Sequence, residues 1–276
     1  MKKLLIVSTL VLLVASIASA STLVNALPMG RGAWAFSLSG TQISNFQGMG
    51  NDVKANTYGL SIDYGLLDSL DLYVTFGTSK SDKFFNMVDP SSFAGLLPGT
   101  LPSINVPLDN TISNGGAVLK YTLLNEFKGS PISLAIAGGG ATFTAKTTGT
   151  INLSAPLPVA ALPLETNQGG FQGGAGLIVS KVIMTKIPFI PYAAVTYQRA
   201  SGGGNTVITL PAALGGGKVT QISNPVYTQL ELSFGSYIAL SKQMFITLEY
   251  TSQNRTNEVG PNFNQGQVGV QLSYSL

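Results

Sequence analysis

The clearest pattern along the chain is an alternation of apolar with small or polar side chains, and it is most regular at the carboxyl terminus. Across the last ten positions Val268, Val270, Leu272, Tyr274 and Leu276 fall on one side of an extended chain, and Gln267, Gly269, Gln271, Ser273 and Ser275 on the other. Terminal residues usually fray in water, so a terminal strand that is still apolar at its last residue predicts a strand set in lipid. The same period of two recurs over about ten segments, the pattern of a transmembrane β-barrel.

The segments predict one strand at 33–43 and then four hairpins, followed by the terminal strand. The first hairpin sets Tyr58, Leu60, Ile62 and Tyr64 against Leu70, Leu72, Val74 and Phe76, with a turn at 65–69. The others pair 117–124 with 132–145, 171–180 with 189–199, and 226–239 with 243–253. Connections alternate in length. Those at 65–69, 125–130, 182–188 and 240–242 are short, whereas 44–55, 80–113, 146–168, 200–224 and 255–264 are longer. Tight turns on one side and longer loops on the other predict an even-stranded outer-membrane barrel with both termini in the periplasm. The expectation is an all-β, antiparallel up-and-down transmembrane barrel of about ten strands, with eight or twelve as alternatives, closed by the terminal strand against the first.

Gln267-x-Gly269-x-x-Leu272-x-Tyr274 resembles the assembly signal on the final strand of bacterial outer-membrane β-barrel proteins: a polar residue, a glycine and two spaced hydrophobic or aromatic residues. The chain departs from the commonest form by ending on Leu276 where many members end on Phe or Trp. The resemblance implies a porin-like small barrel in the outer membrane of a Gram-negative-type envelope, handled by the barrel-assembly machinery and in contact with lipid and lipopolysaccharide. Tyr64, Tyr192, Tyr197, Tyr250 and Tyr274, near predicted strand ends, could contribute to interfacial belts.

The amino terminus predicts export. Lys2 and Lys3 precede an apolar run from Leu4 to Ala18, and Ala18-Ser19-Ala20 has the small residues expected before a cleavage site. Residues 1–20 read as a signal peptide and 21–276 as the barrel. Removing Lys2 and Lys3 lowers the formal charge of +3 by two, which leaves no case for nucleic-acid binding. Charged residues make up 10% of the chain, too few to solvate an ordinary soluble surface. There is neither Cys nor His. That removes disulfides, the usual transition-metal ligands and the usual general base, so no enzyme and no cofactor is expected.

On the inward face, alternation places Asp63, Asp71, Glu231 and Glu249, with Lys120 as the one base. The turn at 65–69 would set Asp63 directly opposite Asp71, and Glu231 would lie diagonal to Glu249. Four acids less one base would bias a pore toward cations. The competing structural reading has Lys120 bridging the acids. Much of the remaining inner wall is Gly, Ala and Ser, which leaves room, although Tyr73, Gln172, Tyr227, Gln229, Phe245 and Gln271 could fill it.

The outer loops are unusually apolar. Phe93, Leu96, Leu97, Leu101 and Ile104, then Leu157 and Leu162, then Leu210 could pack as a lid, constrict the lumen, extend the strands or form a vestibule for an apolar small molecule. Lys54, Lys80, Lys83, Lys146, Arg199, Lys218 and Arg255 fall on the same side, where they could meet lipopolysaccharide phosphates or form a solvated rim. The functional expectation is a narrow passive pore for small solutes. The alternative is a non-transporting structural or surface-adhesion barrel with a plugged lumen.

Overall fold

Alternating sequences form a barrel here because lipid leaves no partner for an unpaired backbone group, and closure supplies one on every side. The computed structural model describes residues 25–47, 55–81, 108–152, 161–212, 216–223, 226–257 and 263–276. Among them are eleven antiparallel strands: β1 (Trp34–Gln47), β2 (Ala55–Leu67), β3 (Leu70–Ser81), β4 (Leu108–Leu124), β5 (Ser133–Asn152), β6 (Ala161–Ser180), β7 (Phe189–Leu210), β8 (Gly217–Ser223), β9 (Val226–Ala239), β10 (Met244–Asn257) and β11 (Phe263–Ser275). Ten of them close a barrel. Neighbours in sequence pair in turn, β7 pairs with β9, β6 pairs with β7, and β11 pairs with β1 to close the ring.

The eleventh strand, β8, belongs to an extension of the wall. Gly204 pairs with Ser223 and Ser201 with Val226, so β8 and β9 lie on a single register line along β7. β5, β6 and β7 run for 20, 20 and 22 residues, whereas β1, β2, β3, β9, β10 and β11 run for 12 to 14. Since roughly ten residues of tilted strand span the hydrocarbon, the wall projects beyond the membrane on the β5–β7 side. Residues 146–152, 161–168 and 201–210, expected in loops, are therefore strand. Polar Thr and Asn on both faces hide the alternation there. Leu162 is a buried inward residue of β6 and Leu210 ends β7, so neither is a loop residue. Phe93, Leu96, Leu97, Leu101, Ile104 and Leu157 lie outside the described residues, as do Lys54, Lys83 and the signal segment 1–20.

The register offset can be followed by hand. Starting at Ser180, successive partners are Tyr192, Gly235, Glu249, Gly269, Thr41, Thr57, Ser79, Ile112, Ala145 and then Gln168, back on β6. One circuit is displaced by twelve residues, the shear number of the barrel. Ten strands ~4.8 Å apart and tilted about 40° give a backbone radius of roughly 10 Å. Side chains reaching inward from every wall can fill that space.

Outward positions carry the apolar band: Trp34, Phe36 and Leu38 on β1, Leu230, Leu232 and Phe234 on β9, and Val268, Val270, Leu272 and Tyr274 on β11 are all exposed. On β11, Gln267 and Gly269 face inward and Leu272 and Tyr274 outward, the facing expected from the alternation. One register is corrected. Asp63 pairs with Tyr73 and Gly65 with Asp71, a shift of two residues from the expected facing of Asp63 and Asp71. The chain reverses tightly at Asp68 and Ser69, and a bulge between Gly65 and Leu67 absorbs the residue that would otherwise widen the turn.

Candidate functional site

The candidate site is the barrel interior. At the end carrying the short turns, residues 25–33 enter the mouth before becoming β1. Gly30 and Gly32, at φ of 90° and 81°, turn this segment toward the wall. A Cβ on Gly65 would lie 1.8 Å from the Gly30 carbonyl oxygen, so glycine at 65 is what lets the segment cross β2. The Gly32 N–H donates to the Gly65 carbonyl at 2.8 Å.

Four wall side chains hold this strap. Lys120 on β4 and Asp71 on β3 form a buried ion pair of 3.2 Å. The Lys120 ammonium also donates to the carbonyls of Asn25 at 3.1 Å and Leu27 at 2.6 Å. Both Asp71 oxygens accept from the Met29 N–H, at 3.2 and 3.3 Å. Thr122 donates to the Ala26 carbonyl at 3.0 Å, and the Ala26 N–H donates to Ser180 at 3.2 Å. The Ala26 methyl sits among Ala135, Ala137, Ile178 and Ala194. Lys120 thus joins one acid and two strap carbonyls, each charge satisfied by more than its partner alone, the condition under which a buried pair is tolerated. Nothing in the alternation of the sequence points to this segment, because it is irregular backbone. Only Pro28 and the two glycines hint at it.

A second polar system climbs the inner faces of β7, β9 and β10. The Tyr192 hydroxyl donates to Glu249 at 2.5 Å, and Thr251 donates to the other oxygen at 3.1 Å. Ser233 donates to Thr251 at 2.9 Å, and its hydroxyl lies 3.4 Å from Glu231. Gln253 and Gln229 amides donate to Glu231 at 3.0 and 3.3 Å. Above them Arg255 donates to Gln229 and lies 3.9 Å from the Tyr227 ring centroid. Glu231 and Glu249 are farther apart than a simple diagonal, since Glu231 pairs with Gln253 and Glu249 with Gly235.

Asp63, Asp71, Lys120 and Glu231 are buried in the interior, and Glu249 is partly buried there. Two residues expected outside join them. Arg255, expected on the outer rim, is 3% exposed and inward, so the described interior holds four acids and two bases. Tyr192, expected in an interfacial belt, is 5% exposed and inward, whereas Tyr197, Tyr250 and Tyr274 face outward. Parity counted from Phe189 would have placed Tyr192 inward.

The adjoining β5–β6 wall is nearly bare around its glycines. Gly139 pairs with Gly174 and Gly140 with Gly173, and a cavity lies against this wall, bounded also by Thr75, Val118, Ala137, Gln172 and Gln198. It has room for roughly four water molecules. The Ala26 socket, which shares Val118 and Ala137 with it, adjoins the cavity, and Gln172, hydrogen-bonded to Gln198, bounds it as well. A second, smaller cavity lies beside Tyr192, Glu249 and Gln271, and among the described residues every one of the ten strands contributes inward side chains with under a tenth of their surface exposed.

No protein-family model matches the chain, and no curated protein matches it in sequence. Solved structures match in overall shape. The translocator domain of the autotransporter NalP from Neisseria meningitidis is 9% identical, with 97% of this chain and 94% of that chain covered and a TM-score of 0.48. The outer-membrane protease OmpT from Escherichia coli is 12% identical, with 89% and 97% covered and a TM-score of 0.45. The outer-membrane protein OprG from Pseudomonas aeruginosa is 15% identical, with 90% and 98% covered and a TM-score of 0.38. On its own strand pairing the chain is a closed ten-stranded antiparallel barrel with an apolar exterior.

Proposed function

We propose that the protein is an outer-membrane barrel whose lumen is closed at rest, and that its working surface is the wall projecting outward on the β5–β8 side. The supporting observation is the burial of inward side chains on all ten barrel strands, together with the strap across the periplasmic mouth. A water-filled channel would leave such side chains wet. Lys80, Lys146, Arg199 and Lys218 are exposed toward the outer side and suit lipopolysaccharide phosphates, although Lys146 is already 3.5 Å from Glu165. The short turns and both termini then face the periplasm.

A narrow passive pore is the second reading. The cavity beside the glycine wall favours it, as does closure of the mouth by a segment outside the barrel wall. With four acids and two bases inside, such a pore prefers cations weakly. Planar-bilayer recording of the purified protein separates the two. Silence is expected. Reproducible channel steps would overturn the closed reading, and reversal potentials in a salt gradient would then give the ion preference.

A further inference from the structure

We propose that the periplasmic mouth is a binding site for an extended peptide, filled here in cis by residues 25–29, and that this segment can leave while the ten-stranded wall stays intact. The inference deepens the closed-lumen reading and rests on how the strap is held. Asp71, Lys120, Thr122 and Ser180 all contact backbone atoms of the strap: the carbonyls of Asn25, Ala26 and Leu27 and the N–H groups of Ala26 and Met29. Such contacts recognise an extended chain whatever its side chains. Selectivity enters at one position, where the Ala26 side chain is fully buried among Ala135, Ala137, Ile178 and Ala194 and a bulky ring would have to displace them.

The strap is also dispensable to the sheet. Each barrel strand already has a neighbour on both sides, so releasing residues 25–29 breaks no rung of the ladder. What release does expose is the Lys120–Asp71 pair, which then meets water instead of strap backbone. The site would therefore exchange its own segment for another extended chain carrying a small residue at the socket, presented from the periplasmic side.

The chain has no cysteine, so a single introduced thiol reports on the strap. Ala26→Cys in the full-length folded protein is treated with a water-soluble maleimide, with Met184→Cys, on an exposed short turn, as the reference for a free thiol. The thiol introduced by Ala26→Cys should react at least about tenfold more slowly than the reference, and adding Lys120→Met should raise its rate by about tenfold with the compact electrophoretic mobility of the unheated barrel retained. If Lys120→Met fails to fold, Thr122→Val, which removes only the bond to Ala26, replaces it with the same expected direction. A synthetic peptide of residues 23–31 should accelerate labelling saturably, and the same peptide with Ala26→Trp should not. Rapid labelling of Ala26→Cys without further change, or no effect of either variant or of the peptide, would overturn the proposal. Bilayer current is read separately. Strap release without channel steps supports the peptide site and counts only against the pore.

Discussion

The Tyr192 hydroxyl reaches Glu249 by passing over Gly235, the residue with which both of them pair. A Cβ on Gly235 would stand 2.5 Å from the ring and hydroxyl of Tyr192 and 2.7 Å from the Leu248 carbonyl oxygen. Gly235→Ala is therefore expected to destabilise the barrel by about 1–3 kcal/mol in urea unfolding. In a Tyr192→Leu background the cost should shrink to what the Leu248 contact imposes, and full additivity of the two changes would contradict the arrangement.

Asp71 and Lys120 give a second test. Removing one charge leaves the other buried, so Asp71→Asn or Lys120→Met alone should each cost about 3–5 kcal/mol, and the double variant much less than their sum. Equilibrium unfolding of all three against the parent protein completes the cycle.

Adjacent glycines on β5 should behave oppositely. A Cβ on Gly139, facing the lumen, would meet the Ala117 carbonyl oxygen at 2.2 Å and Val118 Cα at 2.7 Å, whereas the nearest atom to one on Gly138, facing lipid, is 3.6 Å away. Backbone cannot rotate aside as a side chain can. Gly139→Ala should cost more than about 2 kcal/mol and Gly138→Ala stay within about 0.5 kcal/mol. Equal tolerance would mean that the β4–β5 register is wrong.

The short turn between β4 and β5 carries a pH dependence. Hydrogen bonds from Lys181 and then from the Val182 N–H hold the Glu126 carboxyl below its ordinary range. The lowered value means the contribution to stability is complete above the ordinary carboxylate pKa and is lost as pH falls through the depressed one. Amide exchange at Val182 should accelerate in that acid window, and Glu126→Gln should abolish the acceleration. An unchanged profile in the variant would assign it to another group.

Alternation alone reveals most of the wall, because Val268, Val270, Leu272 and Tyr274 face lipid while Gln267, Gln271 and Ser273 face the interior, and lipid punishes any slip of parity. It says less about register. The facing of Asp71 depends on a bulge at residue 66 and a tight reversal at Asp68 and Ser69, and no period encodes either. It is silent on Thr147, Thr166 and Asn205, which continue strands beyond the membrane where both faces tolerate polar groups. The strap is illegible for a further reason. Its contacts are made by backbone, and a backbone carbonyl leaves no mark in a pattern of side chains. Arg255 is easily misplaced because a charge near a strand end resembles a rim residue, while the ring of Tyr227 that receives it lies on the neighbouring strand.

Where Gly139 faces Gly174 and Gly140 faces Gly173, the partition between hydrocarbon and interior is a single layer of peptide, thinned further by the cavity behind it. The wall that adjoins it through the β6–β7 ladder, bearing Tyr192, Glu231, Glu249 and Arg255, is braced by its own hydrogen bonds. At these glycines the β5–β6 seam is held by its backbone ladder alone, beside a wall that side-chain bonds tie together as well.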